Sequence, residues 1–374
     1  MSAHNPWYYL EDPNAIDSPA LLVNPDQVRH NIDHAIQIAG DVARLRPHIK
    51  THKSPQVIQM HLNRGIRKFK CATIAEAEML AKAGADQVLL AYQPVGPRLE
   101  RLLALIAHYP AVRFAALVDD MNVLQAAGST AQARNLTLSL WLDLDVGMGR
   151  TGIKPGAAAM DLWRALTDHP HLESGGWHAY DGHFRQPDFE ARRVASDAAF
   201  KAVEEMLASL PADLPRPIIV AGGSPTFPVH VRRTQVELSP GTYPYWDAGY
   251  GEGLPDLPFE PAAVLLTRVL SKPGENRLCL DLGHKAVAPE KPLAQRVRLP
   301  QLHITAWLGQ SEEHLVLEVA NASEFQVGDV IYGIPGHICP TVALHQELIP
   351  VRNHAVAGEA WPVVARVRRL EAGL

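Results

Sequence analysis

Short apolar runs alternate with longer amphipathic ones from about residue 18 to 245. The apolar runs at 19–24, 42–49, 68–72, 87–92, 112–118, 136–144, 172–180 and 217–221 read as β-strands, each bounded by polar or turn residues. Between them, segments such as 73–83, 96–108 and 187–210 have the composition and length of helices. Thr73 stands at the start of the first of these, and Glu76 follows three residues on, as a capping box requires. Eight strands alternating with helices is the rhythm of a parallel sheet closed into a barrel. After Pro240 the texture changes. Proline and glycine become denser over 241–261, and runs at 262–270, 278–282, 303–307 and 315–319 read as strands with no helix between them. The expected fold class is therefore α/β: a (β/α)8 TIM-type barrel over residues 18–252, then a smaller, mostly β C-terminal domain over 253–374, with 1–17 packed on that domain.

Composition narrows the partners. With 47% hydrophobic and 20% charged residues, the 374-residue chain has material for packed cores and no signature of disorder. Its 35 basic and 40 acidic side chains leave a formal charge of −5, which offers no electrostatic footprint for nucleic acid or an acidic membrane. Cys71, Cys279 and Cys339 are odd in number and far apart, which argues against a disulfide framework and for a reducing, cytoplasmic setting. No basic-then-apolar leader opens the chain and no window is apolar enough for a bilayer. A small-molecule partner is expected, without nucleic acid or membrane.

Five clusters fall where strands end or loops begin. Lys50 lies in Arg46-Pro47-His48-Ile49-Lys50-Thr51-His52-Lys53, at the carboxyl end of the second apolar run. Reactive groups gather at that end of barrel strands, and a partly desolvated amine there can form a Schiff base with an aldehyde. His48 and His52 share the face of Lys50 if the strand continues, which makes His52 a candidate to orient the site or carry protons. The stretch from Asp143 to Gly152 runs from a strand into a glycine-rich loop, where Arg150 offers a rigid fork for a phenolate, carboxylate or phosphate. His178-Ala179-Tyr180-Asp181-Gly182-His183 supplies four polar groups in six residues, enough for a donor and an acid or base. Gly222-Gly223-Ser224-Pro225-Thr226 follows the last strand, where small residues let backbone N–H groups approach a phosphate, and Gly241 and Thr242 could complete such a cradle. His337 and Cys339, two apart, face the same way on an extended segment and can share one metal ion, the open positions going to water, a substrate oxygen or Asp181.

Together these motifs, with Ser18-Pro19-Ala20-Leu21-Leu22 and Lys70-Cys71-Ala72-Thr73, resemble the D-threonine aldolase and D-serine dehydratase family over nearly the whole chain. That family comprises fold type III pyridoxal-phosphate enzymes with an alanine-racemase-like barrel. The resemblance implies Lys50 as the Schiff-base lysine, Arg150 at the phenolic side of the cofactor and Tyr180 near its ring. It implies Gly222, Gly223, Ser224, Gly241 and Thr242 as the phosphate cup. It further implies His337 and Cys339 as ligands of a divalent ion (manganese, magnesium or zinc) near the β-hydroxyl of a D-amino acid, and a homodimer.

Within the family two reactions begin alike and break different bonds. Aldol cleavage takes a β-hydroxy-D-amino acid such as D-threonine to glycine and an aldehyde, whereas dehydration gives a 2-oxo acid and ammonia. The segments 90–94 and 178–183 resemble the aldolase branch. Arg185 and Gln186 stand where aldolase relatives often have a histidine, which leaves His183 or His52 as the base. A pyridoxal-phosphate-binding protein without catalysis is the remaining alternative, although it has no need of a second domain.

Overall fold

The computed structural model describes residues 6–370; residues 1–5 and 371–374, at the two tips of the expected second domain, lie outside the described residues. The chain opens with strand β1 (Ala20–Val23) and helix α1 (Pro25–Ala39) and then enters helix α2 (Pro55–Leu62). Two compact units emerge, each drawn from separate stretches of chain. The barrel unit takes Ala35–Lys50, Ile58–Gly241 and the last residues from Val367. The β unit takes the chain up to His34, Thr51–Val57 and Thr242–Arg366.

In the barrel unit, seven parallel strands pair in sequence order: β2 (Lys68–Cys71), β3 (Gln87–Leu90), β4 (Arg113–Val118), β5 (Leu138–Leu144), β6 (Leu172–Ala179), β7 (Ile218–Ala221) and β8 (Val236–Leu238). Helices α3 (Ile74–Ala83), α4 (Pro97–His108), α5 (Met121–Ala133), α6 (Ala157–Asp168) and α7 (Phe189–Ala208) link them, and a single turn, α8 (Phe227–His230), precedes β8. Thr73 does cap α3, its Oγ1 accepting from the Glu76 amide at 3.1 Å, and the Glu76 carboxylate accepts from the Ala72 amide at 2.6 Å.

The eighth stave is residues 45–49. Arg46 N donates to Leu238 O and His48 N to Pro240 O on one side; Ile49 N donates to Lys70 O and Lys70 N to Pro47 O on the other. The sheet thus returns on itself. Arg46 pins the seam, with its Nε 2.7 Å from Glu237, its guanidinium over the Trp141 ring, and only 2% of its surface exposed. Within the barrel Leu89, Ala115, Leu117, Trp141 and Val220 form one buried cluster. Each such large apolar side chain stabilises by roughly 1.5–3 kcal/mol.

Two expectations about the staves need correction. Residues 19–24 do form a strand, but β1 belongs to the other sheet, and Val236–Leu238, not among the expected strands, supplies the stave it would have filled. Residues 42–49 are not one strand, because Asp41 caps a 3-10 turn at Val42–Arg44 before the extended stave begins.

The β unit centres on β9 (Ala263–Gly274) and β10 (Arg277–Leu280). Around them lie β11 (Val297–Arg298), β12 (Ile304–Gln310), β13 (Leu315–Val319), β14 (Val330–Pro335), β15 (Glu347–Arg352), β16 (Ala355–Val356) and β17 (Trp361–Pro362). They make a mainly antiparallel sheet in which β1 lies between β9 and β15, antiparallel to the first and parallel to the second. Ile16, Ala20, Leu22, Val264, Leu266, Tyr332 and Val351 form its buried core, and Trp7, Tyr8, Tyr9 and Leu10 pack against them. Two short helices complete the unit, α9 (Ala248–Gly253) and α10 (Ile338–Leu344).

Candidate active site

At the carboxyl end of the barrel strands lies a cavity of about 210 Å³, lined by Lys50 and by Lys70, Asp143, Arg150, His178 and Tyr180 among others. Lys50 follows the closing stave directly, and its backbone N donates to His48 Nδ1 at 3.3 Å. The chain turns at residues 50–52, so the alternation that would put His52 on the face of Lys50 stops there. His52 belongs to the β unit, buried with its Nδ1 accepting from the Ser54 amide and its ring edge-on to Tyr245.

The cavity floor is a line of charged and polar groups from three strands. Asp143 on β5 and His178 on β6 are register partners, and His178 Nδ1 lies 2.7 Å from Asp143 Oδ1. An ionised carboxylate only accepts, so Nδ1 carries the imidazole proton and Nε2 faces Lys70 Nζ, 3.3 Å away, as an acceptor. All three side chains are buried. Burial, followed by the charge of Lys50, lowers the Lys70 amine to about 7. Burial, followed by the charge of Lys70, also holds His178 below its usual value. Burial pushes Asp143 up, but the hydrogen bond and charge of His178, with Thr151 and Lys70, outweigh it and hold the carboxyl below its usual value. The Tyr180 ring lies near both the Lys70 amine, whose Nζ is 5.4 Å from its centre, and the Arg150 guanidinium, 5.3 Å from it.

The glycine motif ends β7. Gly222 has φ +81°, and a Cβ there would come 2.8 Å from Phe227 Cα, so the turn admits only glycine. A Cβ on Gly223 would come 3.0 Å from the Tyr180 ring, and one on Gly241 3.0 Å from His48 O. Ser224 is buried, and its Oγ accepts from the Gly241 amide at 3.2 Å. These residues form a narrow backbone-lined cradle of the kind a phosphate requires. Thr242, the next residue in the chain, is in the β unit, with its Oγ1 3.8 Å from Cys339 Sγ.

His183 carries a buried Nδ1 that has no hydrogen-bond partner among the described residues, and its ring packs on Phe184 with centroids 4.0 Å apart. Both carboxylate oxygens of Asp181, a candidate metal ligand, are engaged in hydrogen bonds. Its Oδ1 accepts from Thr226 at 2.5 Å, and its Oδ2 lies 2.7 Å from Ser196 Oγ and 2.8 Å from His230 Nε2, with 1% of the residue exposed. These bonds tie the end of β6 to α7 and α8.

In the β unit, His337 and Cys339 do come together, but not on an extended segment. His337 precedes α10, whose first amide, Ile338 N, donates to Asp247 Oδ2 at 3.0 Å. His337 Nδ1 lies 2.5 Å from Glu290, and Cys339 Sγ lies 3.0 Å from Thr51 Oγ1. Burial would lower the His337 imidazole, but Cys339, Glu290 and Asp247 carry it above its usual value. Among the described residues no group of three or more His, Cys, Asp or Glu side chains is assembled as a metal site.

The residues fit pyridoxal phosphate. A lysine opens on the cavity, an arginine and a tyrosine ring line it, and a glycine-built cradle adjoins that ring. Sequence reasoning missed the Lys70–His178–Asp143 line. The signal available was a lysine inside an apolar run, Lys70, and the shared position of Asp143 and His178 near the ends of neighbouring strands.

Residues 23–248 match the alanine racemase N-terminal domain and residues 262–351 a putative serine dehydratase domain. The chain belongs to the alanine racemase N-terminal domain family. Along its length it is similar to D-threonine aldolase of an Arthrobacter species, 29% identical over 365 residues that cover 95% of this chain and 94% of the relative. It is equally 29% identical, over 372 residues, to 3-hydroxy-D-aspartate aldolase of Paracoccus denitrificans strain Pd 1222, covering 95% of this chain and 93% of that one. The crystal structure of D-threonine aldolase from Filomicrobium marinum superposes with a TM-score of 0.86 at 27% identity, covering 94% of this chain and 96% of that one.

Proposed function

We propose that this chain is a pyridoxal-phosphate-dependent lyase that cleaves β-hydroxy-D-amino acids such as D-threonine to glycine and an aldehyde, with the help of a divalent ion. The observation that carries the reading is the cavity in which Lys50, Arg150 and Tyr180 converge beside the glycine cradle, in a chain similar to two D-amino-acid aldolases from end to end. When bound, pyridoxal phosphate supplies an electron sink for the carbon that bears the substrate's amino group.

The residues divide the remaining work. Lys50 anchors the cofactor through its amine. Gly222, Gly223, Ser224 and Gly241 offer amides and a hydroxyl to the phosphate, joined by Thr242 from the next position in the chain. Arg150 presents a rigid guanidinium fork suited to the phenolic oxygen. His183 is the preferred base for the β-hydroxyl proton, because its Nδ1 is unengaged among the described residues, whereas His52 spends its Nδ1 on the Ser54 amide. His337 and Cys339 would hold a manganese, magnesium or zinc ion, which would polarise the β-oxygen as a Lewis acid; the thiolate leans towards zinc. Asp181 is left out of that set.

The match of residues 262–351 to a putative serine dehydratase domain favours one second reading, loss of water and ammonia from the same substrates. Incubation with D-threonine decides. Glycine and acetaldehyde are expected, whereas 2-oxobutanoate and ammonia would overturn cleavage in favour of elimination. Borohydride reduction of the yellow protein should place the label on Lys50, and Lys50→Ala should abolish both label and turnover. A cytoplasmic homodimer completes the proposal. No helix among the described residues is long and apolar enough to cross a membrane.

A further inference from the structure

Lys70 is a second amine in the same cavity as Lys50, and the reading above gives it no task. Only 2% of it is exposed. Burying an ammonium without an anion against it is unfavourable, and the nearest partner of Lys70 Nζ is a neutral ring nitrogen, His178 Nε2 at 3.3 Å. His178 is in turn held by Asp143 at 2.7 Å. The charged and titratable groups that face Lys70 are Lys50, Arg150, Arg46, Asp143, His178 and the Tyr180 ring, so cations surround it on several sides. A neutral amine suits this place. One of its N–H groups donates to His178 Nε2, and its lone pair remains available.

Resting on the proposed chemistry at Lys50, we infer that Lys70, oriented by His178 and Asp143, is the group that removes a proton from the ammonium of the incoming amino acid. An amino acid in water arrives as an ammonium, which has no lone pair with which to displace Lys50. In the step proposed, an N–H bond of that ammonium breaks and a new one forms on the Lys70 lone pair. The electron pair left on the substrate nitrogen becomes the nucleophile. Lys70 is then a cation, whose N–H still donates to His178 Nε2, and the nearby Asp143 carboxylate offsets its charge. When the product amine departs it takes the proton back and leaves as an ammonium, so the site returns to its starting state with no other reactant consumed. The depressed basicity of Lys70 suits it to accept a proton near neutral pH, where an exposed lysine is already charged.

The test follows exchange of an amino acid onto the holoenzyme with glycine or D-alanine, which carry no β-hydroxyl to cleave, by stopped-flow absorbance from pH 6 to 9. In the wild type the exchange rate should rise with a midpoint near 7. Lys70→Met, which removes the amine, and Lys70→Arg, which keeps a cation that cannot accept the proton, should each slow exchange at pH 7.5 at least tenfold and lose that midpoint. Borohydride mapping should still place the cofactor on Lys50 in both variants, which shows that they fold and load. A second readout needs no cofactor: acetic anhydride labelling of Lys70 in the cofactor-free wild type should titrate near 7, and His178→Asn should shift that midpoint. Normal exchange in Lys70→Arg would reduce Lys70 to a fixed charge and overturn the inference, as would normal exchange in Lys70→Met. A wild type that forms no reducible adduct at Lys50 would overturn the functional reading itself, an outcome distinguishable from either of these.

Discussion

The floor of the barrel and the edge of the β unit both present histidines to chemistry, and they do so in opposite ways. On the floor, His178 is buried between an acid and an amine, its tautomer fixed by Asp143 and its second nitrogen committed to Lys70. At the edge, 39% of the His337 side chain is exposed, and it meets Glu290 and Cys339 at the start of a helix of seven residues. The first arrangement is complete within the polypeptide and held by a parallel sheet on either side. The second is a partly exposed pair that, under the proposed function, an ion would complete. A closed polar line and the proposed ion-binding pair thus occupy separate units of one chain.

The sharpest way to break this contrast is to remove the buried amine. The Lys70 pKa in the folded state, about 7, lies below the value near 10.5 expected in the unfolded chain. Over that interval the unfolded state holds the proton and the folded state does not, so the destabilisation is full below pH 7 and disappears as pH rises past the unfolded value. Lys70→Met should therefore stabilise the cofactor-free protein by up to about 5 kcal/mol at pH 7. The gain should shrink towards pH 10, as measured by urea unfolding at several pH values. A variant no more stable than wild type at pH 7 would mean that the floor is not strained.

Asp181 tests whether the barrel's own polar network is structural. Asp181→Ala removes the acceptor for Thr226, Ser196 and His230 in a buried site and should cost about 3 kcal/mol in the same assay. Metal affinity should be unchanged, and a large fall in affinity would restore Asp181 as a ligand. The smallest effect on the fold should come from the edge. Cys339→Ala should change stability without metal by less than about 0.5 kcal/mol, while weakening divalent-ion binding by at least about tenfold in calorimetry. Equal ion affinity in the variant and the wild type would remove the cysteine from the site.

Much of this was legible in the chain because local rules governed it. The turn at Gly222 announces itself as adjacent glycines after an apolar run, and the cap on α3 as Thr73 with Glu76 three residues on. Lys50 sits where a stave ends. The hidden parts depend on which strand neighbours which. Ala20 to Val23 is buried throughout, so its pattern says strand without saying which sheet. Val236 to Leu238 is only three residues long, and its central Glu237 reads as polar loop until Arg46 and Lys68 are seen to pair with it. Lys70, His178 and Asp143 become one unit only when β2, β5 and β6 curl round a common interior. The expectation that His52 shares the face of Lys50 gave way for the converse reason: two-residue alternation holds only while the backbone stays extended, and it turns at Lys50.

The stave that latches the ring shut, through the amides of Arg46, His48 and Ile49, ends one residue before the amine that would hold the cofactor. The bonds that seal the cylinder therefore also fix the backbone from which the reactive group projects. A chain caught with its seam unzipped would lack a holding place for vitamin B6, which makes uptake of the coenzyme a direct reporter of whether the last gap has closed.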